Sequence, residues 1–434
     1  MTGFRRSGRF DTVRGRGLLA VALLAALSVP AGAAPATAAP ATAAVTSIDV
    51  YAIGDFHGRL ESNGESAGIA VLGAFLADAR RTNPASLVVS TGDNVGGSPF
   101  LSAASGDQIT IDLLEEVGLD ATAVGANELR LAEAELAGAI ADADFPFLAA
   151  NLYCRTTGNR PYPAYSVQSV DGVTIGFVSV ISPDVTVAPE WGNCGLEIRD
   201  PVTEANAVAA QLSDGDGANG EADVVILLAH AGANDAAAAA DPRTTFGQIT
   251  TQASRDIDAI IGGHTHAAYV TRIAGRTVLQ PGEYGEALGK LSLRVDQTRQ
   301  TVRVHAELVD LVTADGPVAP PQASLTDQVA AAAAAASGPA SGAVGTITAD
   351  LNRAQTRSGE VDLAAPSTLV NAVADAFVWA TAPLGVQAAL ADPREVAADL
   401  RYESTGAPGD GVGIVTAGEA AAVLPYPDRL FAVE

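Results

Sequence analysis

"SIDVYAIGDFHG" (residues 47–58) is an apolar run that stops abruptly at Asp55 and His57. Four more stretches behave the same way. "ASLVVSTGDN" (85–94) stops at Asp93 and Asn94, and "DATAVGANELRLAEAEL" (120–136) passes from an apolar lead-in to Asn127 and Glu128. "ADVVILLAHAG" (222–232) stops at His230, and "IDAIIGGHTH" (257–266) stops at His264 and His266. Short runs rich in Val and Ile, punctuated by Gly, read as buried strands. Helix-like Ala/Leu segments lie between several of them, including 70–81 and 112–117. This alternation predicts an α/β domain. In such sheets the loops at the carboxyl ends of the strands converge on one crevice.

The histidines sharpen the reading. The chain holds only five, and four stand at these strand ends. The fifth, His305, lies in the alternating run "TVRVHAELVDLV" (301–312) with no polar cluster, and reads as structural. Four His with Asp55 and Asp93 make a metal-ligand set, and six side chains exceed the needs of one tetrahedral ion. Two ions sharing a bridging carboxylate would use them all. Mixed imidazole and carboxylate ligands suit Zn, Mn, Fe or Ni better than Ca or Mg. Asn127 and Glu128 read either as part of the same site or as a helix start, with Asn capping and Glu favouring the first turn.

With 434 residues, 48% of them hydrophobic, the chain can form two domains and is not globally disordered. Arg5, Arg6, Arg9, Arg14 and Arg16 precede the apolar run "LLAVALLAALSV" (18–29), and "AGA" (31–33) suits cleavage. Residues 1–34 therefore read as a secretory signal, and residues 35–46 as a flexible spacer. The apolar run is too short to span a membrane comfortably. A secreted or cell-envelope exterior location follows. Taking five Arg and Asp11 away with residues 1–34 leaves 20 basic against 49 acidic residues, a formal charge of −29. Such a surface repels nucleic-acid polymers. It can take a small phosphate only where local positive charge, such as a metal ion, is present. Cys154 and Cys194 suit a disulfide in a secreted chain, with two buried free thiols as the alternative. The Ala-rich run 330–336 reads as helix or linker.

Taken in order, "GDFHG", "STGDNVGGSP", "LLAHAG" and "GGHTH" closely resemble the metal motifs of the bacterial 5′-nucleotidase family, secreted calcineurin-like metallophosphoesterases. "FPFLAANLY", "VDGVTIGFVSV" and "LQPGEYGEALGKL" are similar to its connecting segments. "STLVNAVADAF", "ALADPREVAADL" and "GIVTAGEAAAVLPY" resemble its second, nucleotide-recognising domain. The resemblance implies an α/β/β/α sandwich over 47–315, a linker over 316–344 and an α/β C-terminal domain over 345–434. That last domain would be a shortened one, because the family runs on beyond the position of Glu434. By motif position, Asp55, His57 and His266 would hold one divalent ion, such as Zn or Mn. His230 and His264 would hold a second, and Asp93 would bridge the two. The implied activity is hydrolysis of a small phosphate ester or nucleotide.

The chain also departs from the family pattern. The family reads G-N-H-E-F-D where this chain has Gly125-Ala126-Asn127-Glu128-Leu129-Arg130. A metal-ligating Asn becomes Ala126, the His that stabilises the transferring phosphoryl group becomes Asn127, and the Asp that orients this His becomes Arg130. A one-residue slip would let Asn127 ligate in place of Ala126. In the second domain, Ala397 stands where the family has Arg, with Arg394 as a possible substitute for it. Tyr426 offers a ring for stacking, or is a half-buried core ring, and Asp428 replaces an Asn. These changes predict an impaired enzyme with a weakened second metal site or, as the alternative, a non-catalytic protein that binds metal or nucleotide.

Overall fold

The Val- and Ile-rich runs form the centres of two six-stranded sheets packed face to face. This computed structural model describes residues 45–425 other than 65, 189–190 and 192–193. The expected signal (1–34), most of the expected spacer, Tyr426 and Asp428 lie outside the described residues. Residues 45 and 46, expected in the spacer, already belong to the first strand.

The first sheet has the order Thr301–Asp310, Ala287–Asp296, Val45–Ile53, Ser86–Ser90, Ala121–Ala123, Phe147–Leu148. The second has the order Ala268–Ile273, Arg276–Pro281, Ala259–Gly262, Val224–His230, Val173–Ile181, Tyr165–Val170. Four consecutive strands of each sheet are parallel, in register pairs such as Val50↔Leu87 and Ile226↔Ala259. Parallel strands covered on both faces must be apolar throughout. Ser86–Ser90 and Val224–His230 are accordingly buried at every position.

Between the sheets, Ile48, Val50 and Val89 meet Phe177, Ile226 and Ile261. The outer face of the first sheet is covered by the helices Gly68–Thr82 and Gln108–Glu116. The outer face of the second is covered by Pro201–Gln211 and Thr245–Gln252. The result is a helix/sheet/sheet/helix sandwich. His305 is exposed on the edge strand Thr301–Asp310. Cys154 and Cys194 are joined in a disulfide beside the strand pair Leu152–Cys154 and Leu196–Ile198.

The segment 316–344 is more ordered than its Ala content suggests. It contains the 18-residue helix Ala323–Ala340. Ala favours helix strongly, but a run of Ala offers little to bury. Leu325 supplies the anchor, inserted with 0% exposure into the first sheet's outer core near Leu72 and Val117. Gly73 makes room for it, since a Cβ there would overlap Leu325. Beyond this helix, Ala343–Thr346 pairs antiparallel with Ile414–Thr416. The helices Thr368–Thr381 and Ala417–Val423 close a small core of Leu369, Val373, Val396 and Val423. Ser367 and Thr416 cap these two helices through Val370 N and Glu419 N, at 2.9 and 3.2 Å. None of the described helices is long and apolar enough to cross a membrane.

Leu325→Ala should cost about 2–5 kcal/mol in urea unfolding, the usual range for emptying a filled core site. A loss below about 1 kcal/mol would show that the long helix is not anchored through this residue.

Candidate metal centre

The two sheets place the carboxyl ends of their parallel strands at one rim. Asp55 and His57 follow Val45–Ile53, and Asp93 follows Ser86–Ser90. His230 ends its own strand, and His264 and His266 follow Ala259–Gly262. Five of these six have left-handed backbone, with φ of 40° at Asp55, 47° at His57, 52° at Asp93, 73° at His264 and 60° at His266. Non-glycine residues rarely hold such angles, and strain of this kind collects at functional sites. It turns each side chain inward immediately after its strand.

Asp55, His57 and His266 form one group, and Asp93, His230 and His264 form another. Within each group the candidate ligand atoms lie within 4.8 Å of one another. Asp93 stands between the groups. Its Oδ2 is 3.7 Å from His57 Nε2, and its Oδ1 is 3.4 Å from His230 Nε2.

The ring nitrogens show how the histidines are prepared. His57 Nδ1 donates to Gly96 O at 3.1 Å and His230 Nδ1 to Thr91 O at 2.9 Å. Each bond fixes the tautomer that leaves Nε2 with a lone pair. Both Nε2 atoms are buried without a hydrogen-bond partner, as atoms awaiting a cation are. His266 Nδ1 is held by the Glu283 carboxylate. Tyr284 packs against the rings of His57 and His266, with centroids 5.6 and 5.3 Å away. The guanidinium of Arg59 lies over the Tyr284 ring, 3.9 Å from its centroid.

The electrostatics agree. Burial pushes the imidazoles of His57 and His230 below their ordinary range, and lowers His264 to about 4. All three are therefore neutral at neutral pH, as metal-ligating imidazoles must be. Burial, and then the charge of Asp93, raises Asp55 well above the usual carboxylate range. Burial also opposes the charge of Asp93, but His230 and His57 where protonated, and two donors from Asn127, outweigh it and hold the carboxyl low. Two buried carboxylates opposed in this way, facing neutral imidazoles, fit divalent cations.

Glu128 is fully buried and acts on the loop that carries Asp93. Its carboxylate accepts from Asp93 N at 2.9 Å, Asn94 N at 2.8 Å and Gly125 N at 3.0 Å. Asn127 bonds both oxygens of Asp93, from its backbone N at 2.6 Å and from Nδ2 at 2.7 Å. Its Oδ1, the atom that a one-residue slip would offer to a metal, accepts from Arg130 Nη1 at 3.0 Å. Ala126 lines the crevice and supplies no ligand atom.

The crevice, about 820 Å³, continues from the two groups to the helix Thr368–Thr381 and to Asp392 and Glu395. Arg394 is not among the described residues that line it. Its guanidinium is forked onto Asp392 at 2.5–3.1 Å.

Residues 48–268 match the calcineurin-like phosphoesterase family. The chain belongs to that family. Among curated relatives, the endonuclease YhcR of Bacillus subtilis is 27% identical over 60% of this chain, which covers 23% of the relative. A 5′-nucleotidase of Vibrio cholerae is 28% identical over 41% of this chain, which covers 32% of it. The chain thus spans less than a third of either curated relative. The solved structure of the 5′-nucleotidase precursor from Thermus thermophilus shares the fold, with a TM-score of 0.61 and 18% identity. That match covers 88% of this chain and 74% of the other. Two sandwiched sheets with paired His/Asp groups at their rim are the family's phosphoesterase domain, and the chain beyond it is included in the fold match to the Thermus thermophilus structure.

Glu283, Tyr284 and the clamping role of Glu128 are not apparent from the motifs alone. Glu283 and Tyr284 follow the strand Arg276–Pro281, a sixth strand end with the same apolar-to-polar break.

Glu128→Gln would turn an amide N–H toward backbone N–H donors. It should cost about 1–3 kcal/mol in denaturant unfolding and reduce bound metal measured by elemental analysis. Unchanged values of both would remove Glu128 from the support of the site. A second expectation concerns pH in the metal-free protein. A His whose folded pKa lies below its ordinary 6.5 adds stability above that value and loses it as pH falls. Between about pH 7 and pH 5, His264→Asn should therefore lose less melting temperature than the wild type in chelator. Parallel pH curves would contradict this.

Proposed function

We propose that this protein is a secreted, 5′-nucleotidase-like hydrolase of small phosphate esters, working with two divalent ions such as Zn or Mn. The observation that carries this reading is the position of Asp93 between two His-containing groups whose buried Nε2 atoms lack partners. In this reading Asp55, His57 and His266 would hold one ion, His230 and His264 would hold the other, and Asp93 stands between the two groups. When bound, the ions polarise the phosphate oxygens and lower the pKa of an attacking water.

The chain's own residues set the stage for that chemistry. Glu283 orients His266, the carbonyls of Gly96 and Thr91 orient His57 and His230, and Asn127 holds both oxygens of Asp93. The strand ends fix these groups before substrate arrives, so little reorganisation remains for the reaction. With Asn127 at the family His position, no imidazole acts on the transferring phosphoryl group from this turn. A positioned acid/base group contributes typically about 10²–10⁴-fold, so turnover should be slow by that order rather than absent. The net charge of −29 without residues 1–34 favours a small ester over a nucleic-acid polymer. The Arg-rich start of the chain followed by an apolar run supports export to the cell-envelope exterior.

A second reading is a protein that binds metal or nucleotide without turnover. It is favoured by the Asn127 carbonyl being committed to Arg130 and by Ala126 offering no ligand.

The test is hydrolysis of AMP and p-nitrophenyl phosphate with added Mn²⁺, Zn²⁺ or Co²⁺. The expected result is metal-dependent turnover that Asp93→Ala abolishes together with metal binding. Turnover no greater than that of the Asp93→Ala control would end the enzyme reading. Calorimetric binding of AMP without hydrolysis would then favour the second.

A further inference from the structure

We propose that the crevice selects phosphate monoesters of apolar alcohols, with Phe377 and Trp379 as the residues that set this preference. The inference rests on the phosphate-ester reading above and names the substrate class of that site. At about 820 Å³ the crevice is far larger than a phosphate group and falls in the range of pockets that enclose a whole organic ligand. The metal groups stand at one end. The opposite wall therefore faces the alcohol part of an ester whose phosphate lies on the ions.

That wall is the helix Thr368–Thr381, through Val373, Ala376, Phe377, Trp379 and Ala380. Val373, Ala376, Phe377 and Ala380 follow the i, i+3, i+4, i+7 spacing of one helix face. None of the polar side chains of this helix, such as Asn371 and Asp375, is among the described residues that line the crevice. Phe377 is half-buried and packs against the small core of Leu369, Val373, Val396 and Val423, which holds its ring in place. Ala376, Trp379 and Ala380 are exposed beside it, so an open apolar surface runs into the crevice. The polar groups nearby oppose a polar alcohol. Asp392 and Glu395 line the same end, accept hydrogen bonds without donating when ionised, and repel a second phosphate. Asn127, at the metal end, spends its N and Nδ2 on Asp93 and its Oδ1 on Arg130. A nucleobase would bring acceptors to a helix whose side-chain donor at the crevice is the indole N–H of Trp379. An acceptor covered without a donor loses its bonds to water, whereas a hydrocarbon group gains by leaving water.

The test uses phosphonates, which carry carbon in place of the ester oxygen and are not hydrolysed. Titration calorimetry compares phenylbutylphosphonate with propylphosphonate on the metal-loaded protein, with metal content measured. Wild type should bind the phenylbutyl compound about 10- to 100-fold more tightly, the usual worth of covering an aromatic ring. Trp379→Ala and Phe377→Leu should each cut that ratio by about threefold or more at unchanged metal content. Trp379 is 81% exposed, so its removal spares the core, and Leu keeps the core filled at 377. Binding should also shift the emission of wild type and not of Trp379→Ala, since the other Trp, Trp191, is 3% exposed. A wild-type ratio within about twofold, or a ratio unchanged in either variant, would overturn the proposal. So would a metal-loaded wild type that binds neither phosphonate. The two readings can fail separately. Selective phosphonate binding without hydrolysis of phenylpropyl phosphate or AMP would end the enzyme reading alone. Metal-dependent turnover in which AMP or ethyl phosphate, likewise esters of primary alcohols, outruns phenylpropyl phosphate would end this one alone.

Discussion

A buried carboxylate must be surrounded by donors or positive charge, or the fold rejects its charge. Asp93 is 2% exposed, and its neighbourhood is built around this requirement. Asn127 donates to both of its oxygens, while the bare Nε2 atoms of His57 and His230 face them and leave room for a cation to supply the positive charge. Glu128, itself fully buried, holds the backbone of the Asp93 loop and thereby sets where that carboxylate points. Gly125 is forced by the same packing, because a Cβ there would run into Asp93 and Glu128. The turn 125–130 is therefore less a catalytic segment than the frame of the carboxylate between the metal groups.

Much of this was legible in the sequence because strand ends carry a double signal. An apolar run of Val and Ile marks a strand buried on both faces, and a polar cluster at its end marks the rim. With only five His in the chain, four of them at such breaks, chemistry and topology coincided. Glu283 and Tyr284 carry the same break after "RTVLQP" but no His, so they blend with ordinary turn residues. Their roles depend on contacts across the sheet, with His266 and with the His57 and His266 rings. The helix Ala323–Ala340 was hidden for a different reason. Composition speaks for helix or linker alike, and docking depends on individual residues, Leu325 above all with Val329 packed beside the same core.

The C-terminal part was harder to read because little in it is periodic. Among the described residues its core cluster holds four buried apolar side chains, and its segments are short. Trp379, Leu384 and Leu390 are mostly exposed there, at 81%, 72% and 97%. A core this small gives weak patterning, since few positions are constrained by burial. Arg394 illustrates the consequence. The family resemblance offers it as a substitute for the Arg replaced by Ala397, yet Asp392, two residues away, captures the guanidinium. Local pairing across two residues costs little ordering entropy and competes well with a distant partner.

The same contrast governs Arg130. Read along the chain, Ala126, Asn127 and Arg130 are three separate departures from a family pattern. Read in space, two of them are one change, because Asn127 Oδ1 accepts from Arg130 and Asn127 Nδ2 donates to Asp93. An Asp at position 130 would place a carboxylate against the Asn carbonyl, two acceptors with no proton between them. An imidazole at 127 beside Arg130 would lose the acidic partner that fixes its tautomer. Either single reversion leaves a mismatched pair, whereas Asn with Arg sets a donor against an acceptor. The donor and acceptor inventory makes this hydrogen bond self-consistent, so residues 127 and 130 count as one change rather than two.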